Sequence, residues 1–429
     1  MGFESHPTGR WIVTIYRGLC ALLSVVNSKI VDNVGLKRHA VLTACMTFVL
    51  VWMGGLVTSN RAGLSVPDWP NTYGYNMFFF PPSKWIGGIF FEHSHRLVAS
   101  AVGLLTLILA LWLFGRKSRP VLRWGGIVLI LAGLCLCLKF PAHDKENICL
   151  SVLGLGSLAA SFVWPASEPS PRWLRVLGVS AVAAVVAQGV LGGLRVTELD
   201  ARIGIFHATL AQLFLVLVSA IALSQTEFWR GLPVQAETDR RRLRFFFVAA
   251  TCLVLGQLVL GATMRHQHAG LAIRDFPAAY GRIWPNTSPA AVLSYNQNRM
   301  EDSGDNPITA FQIELQMAHR IVAIAILLAV SLGAWRACHY LGRRHPLARL
   351  AFLWFGLVLT QALLGAATIW TGKSADVATA HVACGALCLV TGGLASFVSF
   401  RMLAAPVAQC GAAQKTELPS LLASSSITH

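Results

Sequence analysis

Histidines with an adjacent arginine occupy equivalent places in the two halves of this 429-residue chain. Glu92-His93-Ser94-His95-Arg96 introduces one long apolar run, and Gln316-Met317-Ala318-His319-Arg320 introduces another. His207 and His381 stand near the start of two further apolar runs. Titratable groups at the mouth of a membrane-length helix are costly and mark a functional site by default. Two histidines on facing helices supply both axial ligands of a haem iron, so the pattern favours bis-histidine haem ligation.

Other metal chemistries fit these residues less well. A di-metal carboxylate site needs Glu-x-x-His on two helices. Glu92 and His95 supply that spacing once, but Gln316 takes the place of the glutamate before His319. A zinc site built from the same histidines has no additional support in the sequence.

Charged and aromatic residues surround the histidines. Arg96 and Arg320 are interpreted as partners of haem propionates in preference to outer lipid headgroups. His93 lies one residue off the ligand face and is interpreted as a loop or auxiliary residue. The segments Asp68-Trp69-Pro70 and Asp275-Phe276-Pro277 predict structured loops that fold over the helix mouths, and His266 and His268 are expected to be exposed there.

The composition indicates a polytopic membrane protein. Hydrophobic residues make up 55% of the chain and charged residues only 13%, whereas soluble proteins carry about 25% charged residues. The net charge of +16 comes from cations in short segments between apolar runs, which is a topology signal. No nucleic-acid-binding motif is present, and no nucleic-acid partner is expected.

Ten apolar runs have roughly the length needed to cross a membrane as helices. Lysine and arginine are concentrated in every second connection, which places those connections on the cytoplasmic side. The four histidines therefore begin their helices from the opposite side, in the outer half of the bilayer. The runs lie at 39–59, 93–114, 121–139, 147–164, 173–194, 204–224, 243–264, 315–336, 347–370 and 377–400.

The two halves of the chain repeat one another, which predicts two pseudo-symmetric four-helix bundles in a parallel repeat. The matched segments are 55–74 with 262–281, His95-Arg96 with His319-Arg320, Gln188-x-x-Leu-Gly with Gln361-x-x-Leu-Gly, and His207 with His381. The predicted organisation is a cytoplasmic N-terminal segment (1–38), an N-terminal bundle (39–224) with an inserted helical hairpin (about 121–164), a cytoplasmic linker (225–242), a C-terminal bundle (243–400) and a cytoplasmic tail (401–429).

These motifs, in this order, resemble the haem A synthase family over residues 40–400. The resemblance rests on Gly55-Leu-Val-Thr, Gly63-Leu-Ser, Pro67-Asp-Trp-Pro70, Glu92-x-x-His95-Arg96, Gln188-Gly-Val-Leu-Gly-Gly193, His207-Ala-Thr-Leu-Ala, and His319-Arg320 with His381.

The resemblance implies a haem b held between His319 and His381 in the C-terminal bundle. It also implies haem O as the substrate in the N-terminal bundle, with His95 and His207 as the matching iron ligands and Glu92 as the matching catalytic carboxylate. The implied reaction oxidises the C8 methyl group of haem O to a formyl group by successive hydroxylations, giving haem A for terminal oxidases. Glutamate can transfer protons, whereas the glutamine at the equivalent place in the second half cannot.

Two features depart from the family's pattern. Many bacterial members carry a cysteine pair in the first outer loop, but Val66 and Thr72 stand at those places, so no disulfide is expected there. The predicted hairpin at 121–164 also departs from the usual eight-span plan.

Two other functions stay open from the residues alone. A non-enzymatic membrane dihaem b-type cytochrome in quinone-linked electron transfer explains the four histidines but gives Glu92 no role. A transporter is expected to have broken helices near mid-membrane, which the apolar runs do not show. The expected location is the bacterial plasma membrane, with the mitochondrial inner membrane as the alternative. Expected partners are haem O, an unidentified electron donor, haem O synthase, terminal oxidase assembly factors and a second copy of the chain.

Overall fold

The chain folds into α-helices joined by loops. A computed structural model describes residues 33–139, 144–232, 240–303 and 307–402. Within these ranges only two isolated bridges occur besides helices and turns, so the predicted all-α membrane fold is confirmed. The helices are α1 (Val34–Ser59), α2 (Gly87–Phe114), α3 (Ser118–Lys139), α4 (Asp144–Val163), α5 (Arg172–Glu198), α6 (Ala201–Ser224), α7 (Glu227–Arg230), α8 (Arg240–His266), α9 (Pro289–Ser303), α10 (Ala310–Leu341), α11 (Pro346–Trp370) and α12 (Ala375–Met402).

The described part of the chain contains nine stretches that are long and apolar enough to span a membrane. One of them, Gly87–Lys139, consists of α2 and α3 separated by a single 3-10 turn at Gly115–Lys117. Because this stretch is two helices, the described residues contain ten helices of 20 residues or more, and these lie at the places of the ten apolar runs. The shortest has 20 residues, or about 30 Å at 1.5 Å per residue, which is the thickness of the hydrocarbon core. The protein is a multi-pass membrane protein.

Polar side chains at the helix starts fix where the histidine-bearing helices begin. The Asp200 carboxylate accepts a hydrogen bond from the Arg202 amide (2.7 Å) at the start of α6. Thr309 and Gln312 form a reciprocal capping box at the start of α10. Such caps satisfy amide groups that have no partner inside the helix. His207 and His319 consequently lie about two turns inside their helices.

Eight of the long helices form two rings of four. In the first ring, α1 packs on α2, α2 on α5, α5 on α6, and α6 back on α1. In the second ring, α8 packs on α10, α10 on α11, α11 on α12, and α12 back on α8. The rings meet along a seam in which α12 contacts α1 and α6, while α6 also contacts α8. Each histidine-bearing helix of one half thus has a counterpart at the same place in the other half.

Helices α3 and α4 pack chiefly against each other and touch the first ring only lightly. Their backbones approach closely at Gly126 and Gly154, where a side chain on either residue would lie 2.7 Å from the carbonyl oxygen of the other. This pair of helices therefore forms a hairpin beside the ring, in the region where the sequence predicts an insertion.

The long outer connection between α8 and α10 contains more than the predicted structured loop. It contains α9, which is polar and lies outside the spanning helices. The Tyr295 ring of α9 stacks on Tyr280 with 3.6 Å between ring centroids. The side chain of Asn296 bonds both backbone groups of Ile308, with its amide donating at 2.9 Å and its oxygen accepting at 2.7 Å. The helix was missed because it has no long apolar run.

Three predicted segments extend beyond the described residues. They are the N-terminal segment up to residue 32, part of the linker at 233–239 and the tail from 403 onward. Within the predicted linker, the short helix α7 and the first residues of α8 are described.

Candidate functional site

The four predicted ligand histidines lie on diagonally opposite helices of the two rings. His95 is on α2 and His207 on α6, which do not neighbour each other around the first ring. His319 on α10 and His381 on α12 have the same relation in the second ring. The structure therefore brings together one predicted histidine pair in each ring.

A glycine on a neighbouring helix faces each imidazole. A Cβ atom at Gly54 would lie 3.3 Å from His95 Cε1, and one at Gly192 would lie 3.4 Å from His207 Cε1. The second ring has the same pairing at 3.4 Å from His319 and 3.1 Å from His381, through Gly261 and Gly365. Any larger side chain at these glycines would enter the volume of the facing imidazole. The sequence repeat aligns Gly192 with Gly365, but no local pattern marks these glycines as site residues.

Each histidine has one ring nitrogen in need of a partner. In all four the Nδ1 atom is buried and makes no hydrogen bond to the described residues. Each histidine as a whole is only partly buried, so another part of its ring stays open to a ligand. Buried polar atoms without partners are costly, and ligation or a bound group removes that cost.

Glutamine side chains lie beside three of the histidines, two of them bonded to the helix backbone and one next to the imidazole. Gln188 donates to the His207 carbonyl oxygen (3.1 Å), and Gln257 donates to the His319 carbonyl oxygen (2.9 Å). The Gln361 amide approaches the His381 ring nitrogen Nε2 at 3.4 Å. Leu50 stands at the place equivalent to Gln257 in the first half, so this support is absent behind His95.

The two aspartate loops have matching hydrogen bonds. The Asp68 carboxylate accepts from the amides of Tyr73 and Gly74, both at 2.8 Å. Asp275 accepts in the same way from Tyr280 (2.8 Å) and Gly281 (2.9 Å). Burial raises the pKa of Asp68, but the amides of Gly74 and Tyr73 and the charge of Arg96 outweigh it and hold the pKa below its ordinary value. The carboxylates thus organise the structured loops that the sequence predicts.

Arg96 and Arg320 fasten these loops to the histidine-bearing helices. Both terminal nitrogens of each guanidinium group donate to loop carbonyl oxygens at 2.7–2.9 Å. The acceptors are Val66, Asp68 and Asn71 for Arg96, and Asp275 and Ala278 for Arg320. Their contact with haem propionates stays a prediction, and the hydrogen bonds seen here are made to the loops instead.

Glu92 and Gln316 differ in how they hold the same loop. Gln316 bonds both backbone groups of Ile273, accepting from its amide at 2.7 Å and donating to its carbonyl at 3.1 Å. Glu92 accepts from the Val66 amide at 3.3 Å but has no proton to donate when ionised. Arg96 fills that role and also pairs with Glu92 at 2.9 Å, with only 6% of the Glu92 side chain and 11% of the Arg96 side chain exposed.

The structure also places two histidines outside the ligand pairs. His93, interpreted as a loop or auxiliary residue, is not in a loop: it is fully buried in α2 between Phe80 and Trp85 and lies 3.2 Å from the Thr72 hydroxyl. His266, expected to be exposed, is half-buried because its ring packs on Gly204 of α6, where a Cβ atom would lie 2.2 Å away. His268 is exposed as expected.

Comparisons with known proteins identify the relatives of this architecture. Residues 150–392 match the COX15-CtaA family model, described as cytochrome oxidase assembly protein. The chain belongs to this family. His207, His319 and His381 lie inside the matched range, whereas Glu92 and His95 precede it.

Individual members of the COX15-CtaA family match over most of their length. Haem A synthase of Rhodopseudomonas palustris is 25% identical over 377 residues, covering 81% of this chain and 86% of the relative. Haem A synthase of Chelativorans is 27% identical over 369 residues, covering 78% and 83%. Haem A synthase of Shewanella oneidensis is 24% identical over 378 residues, covering 82% and 92%.

The residues present fit a haem in each ring. A haem iron takes its two axial ligands from two facing imidazoles and needs no third protein ligand. The described residues contain no group of three or more His, Cys, Asp or Glu side chains arranged around a common metal position. Each ring does supply two facing histidines, a glycine beside each one and an unpartnered Nδ1 on each.

Proposed function

We propose that this protein is a haem A synthase, an oxidoreductase that converts the C8 methyl group of haem O to a formyl group. The COX15-CtaA relatives carry that name and match about four fifths of the chain. The observation that carries the proposal is the paired architecture, in which two similar histidine sites differ at one chemically decisive position. That position is Glu92 in the first ring and Gln316 in the second.

This difference assigns a role to each ring. The first ring, with His95, His207 and Glu92, takes haem O as its substrate. The second ring, with His319 and His381, holds haem b. The alternative, a dihaem cytochrome that only passes electrons, gives no reason for a buried carboxylate in one ring alone.

The chain's own residues bind and position the substrate and handle protons. His95 and His207 hold the substrate haem by its iron, and the iron supplies the oxidation chemistry when the haem is bound. Each hydroxylation replaces a C–H bond with a C–OH bond and removes two electrons from the carbon, so it consumes an oxygen atom from dioxygen or water and needs an external electron acceptor or, with dioxygen, an electron donor. Loss of water after the second hydroxylation leaves the formyl group. Glu92 is buried, bonded to Arg96 and next to the loop, and it is positioned to accept or return a proton during these steps.

The first ring is also covered on its loop side. Trp69 of the aspartate loop lies on Gly193 of α5, where a Cβ atom would come within 2.5 Å of the indole. Arg96 binds the same loop to α2. The closed loop limits the access of water to the bundle end.

A haem extraction assay tests the proposal. The protein is expressed in cells that make haem O, and the haems in their membranes are extracted and separated. We expect haem A, with hydroxylated haem O as its precursor, only when the protein is present. If haem b is bound but neither product forms, the protein is not a haem A synthase. It would then be assigned the alternative function of a dihaem cytochrome.

The cellular setting follows the same proposal. The protein is placed in a bacterial plasma membrane, with the haem sites in the outer half of the bilayer and the mitochondrial inner membrane as the alternative. Its partners are haem O, an electron donor still to be identified, haem O synthase and assembly factors of terminal oxidases. A second copy of the chain is a further expected partner.

The glycines beside the imidazoles give a packing prediction for haem b. Gly261→Leu places branched carbon atoms beyond a Cβ that already lies 3.4 Å from His319 Cε1, so the ring must rotate away from its position. We expect the haem b content of the purified protein to fall about tenfold, measured from the pyridine haemochrome spectrum. Gly256→Leu on the same helix is the matched control, because a Cβ there meets nothing within 4 Å. Equal haem content in the two variants would contradict the packing role.

A further inference from the structure

The arginines that directly follow the ligand histidines are committed to the aspartate loops. Arg96 and Arg320 each donate through both terminal nitrogens to loop carbonyl oxygens, and Arg96 also pairs with Glu92. A guanidinium group has five N–H donors, of which Arg96 uses four and Arg320 uses two. The buried Nε of Arg320 makes no hydrogen bond to the described residues. Arg96 is therefore occupied by the loop and Glu92, and the cations at the seam are further candidates to bind the carboxylates of a haem.

Three cations lie at the seam between the two rings, and we refer to Arg195, Arg265 and Lys373 as the seam cations. Arg265, near the end of α8, donates to the Gly55 carbonyl (3.0 Å) and the Ser59 hydroxyl (2.7 Å) of α1. Arg265 is in electrostatic range of both other seam cations.

The other two seam cations approach glycines in the outer loops. The Arg195 guanidinium, near the end of α5, would lie 2.6 Å from a Cβ at Gly63. Lys373 is in the turn between α11 and α12, and its Nζ would lie 3.9 Å from a Cβ at Gly270. Side chains from both halves of the chain therefore gather at one end of the seam.

The seam cations have no carboxylate partner in the described part of the chain. The ion pairs found there involve other residues. Glu92 is in electrostatic range of Arg195, but it is already paired with Arg96. Burial, together with the charges of Arg265 and Arg61, lowers the pKa of Lys373. Half-buried like charges without a counter-charge are costly, and a bound anion removes that cost.

Each ring has a seam cation beside its histidine pair. Arg195 lies on α5 about one turn beyond Gly192, the glycine that faces the His207 imidazole. Arg265 lies on α8 about one turn beyond Gly261, the glycine that faces the His319 imidazole. A ligand bound between the two histidines of either ring can therefore place one of its edges beside the seam cations.

We propose that the seam cations bind the propionate carboxylates of the two haems, with Arg195 serving the first ring and Arg265 with Lys373 serving the second. This proposal rests on the proposed function, which places a haem in each ring of helices. A haem carries both propionates on one edge, and its opposite edge is apolar. Propionates at the seam set the orientation of each haem and leave the apolar edge among the helices.

Haem titration tests the second ring in a His95→Ala, His207→Ala background, where only that site remains. The haem-depleted full chain is titrated with iron protoporphyrin IX and with its dimethyl ester, which lacks the two negative charges. We expect the ester to bind about tenfold more weakly. Arg265→Gln or Lys373→Gln should weaken protoporphyrin binding by a similar factor and leave ester binding unchanged, while Arg265→Lys keeps most of the affinity.

Arg202→Gln is the matched control, because Arg202 is an exposed cation at the same end of the bundle that already pairs with Asp200 at 2.8 Å. It should change neither affinity. The proposal is overturned if the ester binds as tightly as protoporphyrin. It is also overturned if the seam variants weaken both compounds equally, since the cations would then serve only to hold the fold.

The first ring is tested with Arg195→Gln in a His319→Ala, His381→Ala background, and the same selective loss of protoporphyrin affinity is expected. All titrations are repeated in phosphatidylcholine and in phosphatidylglycerol nanodiscs. An effect confined to the anionic lipid would assign the seam cations to lipid phosphate and overturn the proposal. These measurements need no turnover, so absence of haem A formation would overturn the proposed function and leave this result standing.

Discussion

Glu92→Gln should abolish haem A formation while the protein keeps its fold and its haem b. General acid–base catalysis contributes about 10²- to 10⁴-fold to a rate, and the amide cannot exchange a proton in the same way. The variant recreates the side chain that the second ring uses at the same place, where Gln316 bonds both backbone groups of Ile273. The assay is the haem extraction from cells that make haem O, with haem b read from the reduced spectrum.

The glutamine variant is sharper than an alanine variant. Glu92→Ala leaves the buried Arg96 guanidinium without its carboxylate, and breaking a buried ion pair costs about 3–5 kcal/mol. Loss of activity in the alanine variant would therefore mix chemistry with loop disorder. The reciprocal Gln316→Glu serves as the control and should leave haem A formation intact. Near-normal haem A formation by Glu92→Gln would show that Glu92 anchors the loop and has no role in proton transfer.

Replacing the histidines should separate the two rings. His319→Ala or His381→Ala should remove the haem b spectrum, because one imidazole alone leaves the haem iron with a single protein ligand. His95→Ala or His207→Ala should leave haem b in place and stop haem A formation. The measurements are the reduced-minus-oxidised spectrum of the purified protein and the extracted haems of the expressing cells.

The four alanine variants control one another. Every one of them removes a half-buried imidazole whose ring faces a glycine, so unfolding would affect all four alike. Loss of haem b in a first-ring variant, or retention of it in both second-ring variants, would contradict the assigned division of labour. His339→Ala, at the opposite end of α10, provides a histidine outside both sites and should change neither readout.

The sequence predicted the helices and the histidine positions because both depend on local information. A run of about twenty apolar residues has few alternatives to a spanning helix in lipid. The repeat then matched His95 with His319 and His207 with His381, which predicts equal depth for each matched pair. The failure at α9 has the same cause, since a polar helix outside the membrane carries no such signal.

The exposure of His266 could not be predicted from its neighbours in sequence. Its burial depends on Gly204, which lets the end of α8 approach the start of α6 across the seam. His93 is similar, because Phe80 and Trp85 cover it only after the first outer connection folds back. In both cases a contact between separate elements determined the burial of the histidine side chain.

The sequence by itself determined that this is a helical membrane protein with one histidine pair in each half and a carboxylate in only one of them. Only the tertiary structure decided how each arginine is bonded. Arg96 donates to three loop carbonyl oxygens and to Glu92, because the first loop brings backbone oxygens to a guanidinium group on the helix behind it. Arg195 and Arg265 are 70 residues apart in the chain and meet only because the two rings share a seam.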